Sequence, residues 1–313
     1  MRLRLIANPS ASGVDRALID RVAAALGPVA DVEQALTERA GHAVEMAGLP
    51  GADVVVALGG DGTANEVVNG LAPGVALGVL PGGATSVFAR QLGYPKDPVA
   101  AARLLAGAIA GESLREVGLG ELDGRRFTFS AGLGLDAEVT RRVSEQRTER
   151  TDHRRPSDSE VLAAAAGALK ADGWSLPERM SVTGPGLPLV RCSYLAVANQ
   201  HPYTYLGPIP VRTTPRAHFD KALDATAIGS LRTRDLWRLP VYGLMWPRHA
   251  AGRDRRVTYF HDVEELVVLG DGAVPVQIDG EYLGEYERVT IRFVPAALRA
   301  YVPVSRNGGP GKS

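Results

Sequence analysis

The chain has 313 residues, and its 35 Lys and Arg side chains balance 35 Asp and Glu side chains, so the formal net charge is zero. Zero net charge excludes a global field that would recruit nucleic acid or an anionic membrane, and leaves only local attraction. A single cysteine excludes an internal disulfide and a thiolate metal cluster, which predicts a reducing compartment. We find neither a signal peptide nor a run of about twenty apolar residues. We therefore expect a cytoplasmic protein whose membrane contact, if any, is peripheral at the inner face.

Short apolar runs alternate with helical patterns from Arg2 to about Gly111. The predicted strands are Arg2 to Ala7, Val29 to Leu36, Asp53 to Leu58 and Ala76 to Leu80. The predicted helices are Asp15 to Leu26, Gly41 to Ala47, Ala64 to Leu71 and Asp97 to Ala110. This βαβα order predicts a parallel sheet with helices on its faces.

Strands joined by turns dominate beyond Leu114, beginning with a predicted hairpin in which Asp123-Gly124 joins the strands Leu119 to Leu122 and Arg125 to Ser130. Cys192 lies in one of these apolar runs and is predicted to be buried. We expect an α/β domain over 1–113 and a mostly antiparallel β-sandwich with helical insertions over 114–294. Residues 295–306 are expected to pack back on the first domain, and 307–313 to form a disordered tail. The later predicted strands are Met180 to Thr183, Val190 to Ala198, Asp224 to Gly229, Val257 to Phe260, Glu265 to Leu269, Val274 to Ile278 and Arg288 to Phe293.

The run Gly59-Gly60-Asp61-Gly62-Thr63 joins a predicted strand to a predicted helix. Glycines let the backbone approach a polyphosphate, and the helix N-terminus attracts the anion. An ordinary strand-to-helix turn needs one glycine rather than three around an acid. The run therefore predicts a phosphate-binding turn in which Asp61 holds a metal ion or orders a nucleotide contact.

This turn, followed by Asn65-Glu66-Val67-Val68-Asn69-Gly70-Leu71, resembles the signature of the diacylglycerol kinase catalytic-domain family, which includes bacterial lipid kinases related to sphingosine kinases. Pro81-Gly82-Gly83 and the helix containing Phe88-Ala89-Arg90 resemble the family's second glycine turn. Further similarity lies upstream at Asn8 to Gly13 and Thr37, and downstream at Gly132 to Ala137, Asp220 to Asp224 and Asp279-Gly280-Glu281.

The resemblance implies transfer of the ATP γ-phosphate to a lipid hydroxyl, with Mg²⁺, on diacylglycerol or a long-chain base at a membrane surface. Asp61 would organise the magnesium nucleotide, Asp136 would support it from the other side of a crevice between the domains, and Glu281 would accept the hydroxyl proton. The implied nucleotide-binding residues are Asn8, Thr37, Gly59, Gly60, Asp61, Gly62, Thr63, Asn65, Gly82, Gly83 and Ala84.

The resemblance also implies a structural cation site made by Asp220 and the carbonyl groups of Ala217 and Ala222. Lys221 stands where the family has glycine, which leaves an acidic turn as the alternative. Val87 replaces an aspartate of many relatives, and Ala84 replaces a threonine. These departures keep open a catalytically weakened nucleotide- or lipid-binding protein.

Two arginine-rich segments are candidates for membrane contact, Arg141 to Arg155 and Leu231 to Arg256. The second mixes arginine with Trp237 and Trp246, a combination that suits a membrane interface. The alternative is the solvated face of an ordinary packed helix.

An NAD kinase-like small-molecule kinase is a further alternative, because NAD kinase and phosphofructokinase share the glycine-aspartate-glycine turn. The helix with Phe88-Ala89-Arg90 favours the lipid kinases. We expect no nucleic-acid partner, since the net charge is zero and no recognition motif occurs. The sequence leaves open the lipid and the oligomeric state, a homodimer included.

Overall fold

The computed structural model describes residues 1–83, 85–150, 157–206, 209–239 and 254–303. The chain forms two compact units, one made of Met1–Val117 with 298–303 and the other of Gly118–Ala297. Ala84 and the predicted tail 307–313 lie outside the described residues. Among those described, no helix has the length and apolar character needed to cross a membrane.

The N-terminal unit contains four parallel strands in the spatial order β4-β3-β1-β2. Its strands are β1 (Arg2–Ala7), β2 (Asp31–Leu36), β3 (Val54–Gly59) and β4 (Ala76–Pro81). Its helices are α1 (Arg16–Leu26), α2 (His42–Gly48), α3 (Asp61–Gly70), α4 (Val87–Gln91) and α5 (Pro98–Ala110). Every residue of β3 and β4 is buried, as expected for strands covered on both faces. The predicted α/β architecture is confirmed.

Two helix starts in this unit follow from local capping. The Asp15 carboxylate accepts the Leu18 N–H at 2.7 Å at the start of α1, and Asp97 accepts the Ala100 N–H at 2.6 Å at the start of α5. Pro98 occupies the first turn of α5, where its missing N–H costs nothing. These signals explain why the predicted and observed boundaries of α1 and α5 agree within one residue.

The C-terminal unit is built on antiparallel strands in the order β14-β13-β10-β7-β15-β16. The chain enters and leaves it within β5 (Leu114–Leu122) and β16 (Glu281–Tyr301). The elements between are β6 (Arg125–Phe127), β7 (Ser130–Gly134), α6 (Leu135–Arg150), α7 (Asp158–Ala171), β8 (Met180–Thr183), β9 (Val190–Cys192), β10 (Tyr194–Ala198), β11 (Thr204–Leu206), β12 (Ile209–Val211), β13 (Leu223–Ile228), β14 (Val257–Val263) and β15 (Glu265–Ile278). The predicted mostly antiparallel domain is confirmed.

Two predicted strand boundaries differ from those observed. Residues 265–269 and 274–278 form one strand, β15, with a register shift between Leu269 and Val274. Its first part pairs with β8 and its last part with β7, so one strand serves two parts of the domain. The predicted strand 190–198 is instead divided at Ser193, whose hydroxyl donates to the Ile228 and Gly229 carbonyls. Cys192 is free and buried, as predicted.

Candidate functional site

The predicted nucleotide-binding residues follow the carboxyl ends of neighbouring parallel strands, where ligands bind in open α/β sheets. Asn8 follows β1, and its side-chain amide donates to the Thr63 hydroxyl at 3.2 Å. Thr37 follows β2, is largely buried and donates its N–H to the Ala7 carbonyl at 2.9 Å. The structure therefore places Asn8, Thr37 and both glycine turns at one edge of this sheet.

The two glycine turns pack backbone to backbone. The Gly82 N–H donates to the Gly59 carbonyl at 2.7 Å. A Cβ on Gly82 would lie 2.9 Å from Gly59 Cα, and one on Gly83 would lie 2.7 Å from Gly60 Cα. A Cβ on Gly59 would lie 2.5 Å from the Thr63 hydroxyl oxygen. Packing within the protein is therefore enough to require glycine at positions 59, 82 and 83. From the sequence, these glycines were expected because they would let a phosphate approach the backbone.

Gly60 and Gly62 differ from those three because their surroundings are open. A Cβ on Gly62 would meet nothing within 4 Å, and one on Gly60 would come no closer than 3.9 Å to another atom. Gly62 is exposed in the first turn of α3, where backbone N–H groups point out of the helix. The N-terminus of this ten-residue helix could hold a phosphate group, because its open surroundings and the positive end of the helix dipole both favour an anion.

Asp61 is the first residue of α3, and its carboxylate connects the two glycine turns. One oxygen accepts the Phe88 N–H at 3.1 Å, and the other accepts the Thr85 hydroxyl at 3.2 Å. Phe88 lies in the first turn of α4, which begins after Ser86 in the left-handed conformation (φ 43°). Asp61 is half-buried rather than fully exposed, so it positions the second turn as well as facing the open end of α3.

Glu66 has a structural role that the motif alone did not indicate. Its two carboxylate oxygens accept the N–H groups of Gly41 at 2.9 Å and Ala43 at 3.2 Å. Gly41 precedes α2 with φ of 78°, a value that favours glycine. The Glu66 side chain therefore fixes the start of α2, while Asn65, also in α3, is buried and accepts the Asn69 side-chain amide at 3.1 Å.

Asp136 lies in the first turn of α6 in the C-terminal unit, and neutral donors surround its carboxylate. Its Oδ2 accepts the Tyr203 hydroxyl at 2.8 Å and the Gln277 amide at 2.6 Å. A Cβ on Gly132 would lie 1.8 Å from the same oxygen. Burial raises the pKa of Asp136, while the hydrogen bonds from Tyr203 and Gln277 act to lower it.

Asp279 and Gly280 form the turn between β15 and β16, both with positive φ (49° and 81°). The Asp279 carboxylate accepts the N–H groups of Thr128, Phe129 and Ser130 at 2.6, 3.0 and 3.1 Å, and the Thr128 hydroxyl at 2.8 Å. Burial raises the pKa of Asp279, against these donors, which lower it. Asp279 therefore anchors the segment between β6 and β7, and this anchor interrupts the predicted continuous strand over 125–130.

Glu281 follows this turn and begins β16. Its carboxylate pairs with the Arg125 guanidinium at 2.6 Å, and the two side chains are 58% and 40% exposed. Water screens such a pair, so it contributes little to stability. The carboxylate of Glu281 is thus accessible from solvent, whereas that of Asp279 is not.

The residues of the predicted structural cation site differ in their burial and in their contacts. Asp220 is exposed and lies beside the His218 imidazole at 3.2 Å, while Ala217 and Ala222 are buried. The Ala222 N–H donates to Asp262 at 2.8 Å, and the Lys221 ammonium pairs with the same carboxylate at 3.1 Å. Across the described ranges, no three His, Cys, Asp or Glu side chains are grouped to hold a metal ion. One carboxylate beside a lysine is a poor fit to a divalent cation, so this site stays a prediction.

A buried carboxylate near this turn, Asp224, belongs to the segment of resemblance 220–224 but was given no role there. Asp224 is fully buried in β13. Its carboxylate accepts hydrogen bonds from the Tyr259 hydroxyl, from the Asp262 N–H at 3.1 Å and from the His261 Nδ1 at 2.7 Å. Burial raises the pKa of Tyr259, and its bond to Asp224 adds to that rise. A buried acid in a strand and a histidine two residues beyond a tyrosine were the available signals, but their pairing depends on the β13–β14 register.

The C-terminal unit also contains a cavity of about 210 Å³ beneath α6 and α7. Leu135, Leu169 and Val274 contribute apolar walls, with Leu176 and Met180 beside them. At the edge, Arg142 pairs with Glu138 at 2.6 Å, and Arg179 pairs with Asp172 at 2.5 Å. Ser193 and Glu285 also line the cavity, so its lining combines apolar, polar and charged side chains.

The predicted membrane segments are described only in part. Residues 151–155 and 240–253 lie outside the described residues. Two of the three aromatic residues of the second segment, Tyr242 and Trp246, are among them. Trp237 is 62% exposed, and the Arg238 guanidinium lies 4.8 Å from its ring centroid. Arg238 also pairs with Asp235 and with Asp254, and Arg256 pairs with the same two acids.

Comparison with known proteins agrees with the N-terminal geometry. Residues 2–121 match the diacylglycerol kinase catalytic domain. This match covers β1 to β5 and includes both glycine turns. The predicted resemblance is confirmed, and it rests on the part of the chain that carries the open end of α3.

Individual relatives match over the same part. A diacylglycerol kinase of Bacillus subtilis is 42% identical over 102 residues, 32% of this chain and 33% of that protein. A Pseudomonas aeruginosa protein named "Probable lipid kinase YegS-like" is 40% identical over 105 residues, 33% of each chain. The aligned part thus spans about a third of these curated relatives. A diacylglycerol kinase structure from Bacillus anthracis superposes with a TM-score of 0.69 at 19% identity, covering 96% of each chain, which concerns the fold.

Proposed function

We propose that this chain is an ATP-dependent lipid kinase that transfers the γ-phosphate of ATP to a hydroxyl of diacylglycerol or a long-chain base. The observation that carries the proposal is the open N-terminus of α3, beside two glycine turns, within residues that match the diacylglycerol kinase catalytic domain. The names of the relatives support a lipid substrate.

The N-terminal unit has the residues for binding the nucleotide. Gly60 and Gly62 leave room for phosphate oxygens, and the N–H groups of the first turn of α3 would donate to them. A Mg²⁺ ion bound with ATP would neutralise charge on the phosphates, and Asp61 is the carboxylate at this turn that would hold it. Asn8 and Thr63 bond to each other, so they fix the turn's shape beneath the nucleotide.

The C-terminal unit has the acids for the transfer step. In that step the substrate hydroxyl oxygen forms a bond to the γ-phosphorus, the bond between that phosphorus and the β,γ-bridging oxygen breaks, and ADP leaves. Glu281 would take the hydroxyl proton, because its carboxylate is accessible and Arg125 holds it in place. Asp136 would orient the reacting groups from its bonds to Tyr203 and Gln277.

The cavity beneath α6 and α7 favours a substrate with a hydrocarbon chain. Leucine, valine and methionine side chains form part of its lining, and the two arginines of the lining are each paired with an acid, Arg142 with Glu138 and Arg179 with Asp172. A small sugar phosphate would gain no hydrogen bonds from the leucine and valine walls. An acyl or alkyl chain would gain about 0.8 kcal/mol for each buried CH₂ group.

The test is an assay with radiolabelled ATP and Mg²⁺ that offers diacylglycerol in vesicles, sphingosine, NAD and fructose 6-phosphate separately. We expect label on one of the two lipids and none on the soluble substrates. Label on NAD or fructose 6-phosphate would replace the lipid kinase with a small-molecule kinase. Magnesium-dependent ATP binding without labelling of any component of a total lipid extract would instead indicate a nucleotide-binding protein that has lost catalysis.

A further inference from the structure

Gln277 is a buried polar residue in an apolar strand, and every hydrogen-bonding group of its side chain has a partner. It is 3% exposed, between the buried Val276 and Ile278. Its Nε2 donates to Asp136 at 2.6 Å and to the Tyr203 hydroxyl at 3.0 Å. Its Oε1 accepts the Gly280 N–H at 2.8 Å. The amide therefore spans the distance between Asp136 and the turn that precedes Glu281.

The neighbours of this amide determine its orientation. A reversed amide would place its oxygen against the Asp136 carboxylate and its NH₂ group against the Gly280 N–H, and both contacts would be repulsive. The Tyr203 hydroxyl agrees with the same assignment, since it donates to Asp136 and accepts from Gln277. A substitution that keeps only an acceptor can therefore preserve the bond from Gly280 but loses the two bonds that Gln277 donates to Asp136 and Tyr203.

The turn that Gln277 supports is the backbone from which Glu281 extends. Asp279 fixes one side of this turn through three N–H groups of residues 128–130. Gln277 fixes the other side by accepting the N–H of Gly280, the residue immediately before Glu281. Loss of the amide would remove the acceptor of the Gly280 N–H, and it would leave Asp136 with Tyr203 as its remaining side-chain donor among those observed.

We propose that Gln277 is a positioning residue that holds Asp136 and Glu281 in register with one another during phosphoryl transfer. The inference rests on the proposed function, because it assigns a reaction role to both acids. It adds Gln277, and the coupling of Asp136 to Glu281 through it. Neither the glycine motifs nor the similarity over 2–121 includes them. Small displacements are costly in such a step, since about 1 Å of misplacement lowers rates by about a hundredfold.

The experiment compares Gln277→Met, which keeps the shape but loses all three hydrogen bonds, with Gln277→Glu, which keeps an acceptor for the Gly280 N–H but sets a carboxylate against Asp136. We expect Gln277→Met to lower kcat on the lipid about ten- to a hundredfold, with KM for MgATP changed less than about threefold. Gln277→Glu should lower kcat at least as much. Tyr203→Phe removes a donor from Asp136 but leaves the turn, so its loss should be smaller than either.

A double-mutant cycle separates coupling from a general structural effect. If Gln277 acts through Glu281, then Gln277→Met in a Glu281→Gln background should lower kcat by less than about threefold more. Thr226→Val is the matched structural control, because it removes a buried hydroxyl that donates to the Thr213 carbonyl in the same unit. This control should lower the melting temperature without changing kcat.

Several outcomes would overturn the proposal. They are wild-type kcat in Gln277→Met, a change confined to KM, and a full additional loss in the Glu281→Gln background. Should Gln277→Met fail to fold, the comparison of Gln277→Glu with Tyr203→Phe decides instead, and equal kcat in those two rejects the coupling. A wild-type protein that phosphorylates no lipid removes the proposed function itself, whereas an active wild type with an unaffected Gln277 variant removes this inference alone.

Discussion

The two units of the chain build their candidate sites from different material. The N-terminal unit uses main chain, because two glycine turns press against each other and leave the end of α3 open. The C-terminal unit uses side chains, because Asp136, Tyr203 and Gln277 form one hydrogen-bonded group that is largely buried. A main-chain site depends on conformation and tolerates few changes of shape, whereas a side-chain site depends on chemistry and is sensitive to the loss of single atoms. Substitutions that separate shape from chemistry therefore test the comparison.

The largest effect is expected from Glu281→Gln, which keeps the shape of the side chain and removes its basicity. If Glu281 accepts the hydroxyl proton, turnover should fall by about a hundred- to ten-thousandfold, while ATP binding stays nearly unchanged. Single-turnover kinetics and ATP titration measure the two quantities. Arg125→Gln is the control, because it removes the ion pair but not the carboxylate. A variant with weakened ATP binding and normal turnover would assign Glu281 to the nucleotide.

The next effect is expected from Asp61→Ala in the main-chain site. This acid is half-buried and bonds to the Phe88 N–H and the Thr85 hydroxyl, so its loss removes both a charge and a connection between the turns. We expect lipid phosphorylation to fall by about a hundredfold or more, with circular dichroism unchanged. Thr85→Val, which removes the hydroxyl bond alone, separates the two contributions. Activity of Asp61→Ala within a few-fold of wild type would leave Asp61 with no role in phosphoryl transfer.

A smaller effect should separate the packing glycines from the open ones. Gly62→Ala places a methyl group in space with no neighbour within 4 Å, so the fold should be kept and KM for ATP should rise about tenfold, equivalent to about 1.4 kcal/mol. Gly82→Ala places its Cβ 2.9 Å from Gly59 Cα, so stability should fall by about 1–3 kcal/mol. Thermal unfolding and ATP titration on both variants measure this contrast. Equal behaviour of the two would mean that the open space does not bind phosphate.

The smallest effect is expected at the membrane-contact candidate. Trp237 is 62% exposed, and Arg234 is 77% exposed with one long ion pair to Asp235 at 3.8 Å, while Arg238 pairs with both Asp235 and Asp254. We therefore expect Trp237→Ala with Arg234→Ala to weaken sedimentation with anionic vesicles by several-fold, since each arginine near such a surface contributes about 1 kcal/mol. Activity on a short-chain soluble lipid should be unchanged. Unchanged sedimentation would move the search to the arginines of α6.

The sequence predicted the glycine turns far better than the contacts among Asp136, Tyr203 and Gln277, for a physical reason. Gly59 to Thr63 is contiguous and lies between a buried strand and a helix, so five adjacent letters specify the turn. Asp136, Tyr203 and Gln277 are separated by more than sixty residues at each step, and only strand pairing brings them together. Gln277 did leave a local signal, as one polar residue inside an apolar strand two positions before Asp279. The glycines were predicted correctly as a turn, but the division into packing and open positions required coordinates.

The anchor at Asp279 sets limits on how this protein can be varied in a mutant library. Three of the donors to its carboxylate are main-chain N–H groups of residues 128–130. These bonds therefore depend on where the backbone lies and not on which side chains it carries. As far as the anchor is concerned, Phe129 and Ser130 accept any residue that keeps an N–H, and proline alone is barred. Replacement of 277–281 by a homologous segment would therefore succeed when the recipient keeps the spacing of 128–130. A one-residue insertion within 128–130 would be more damaging than several substitutions in it.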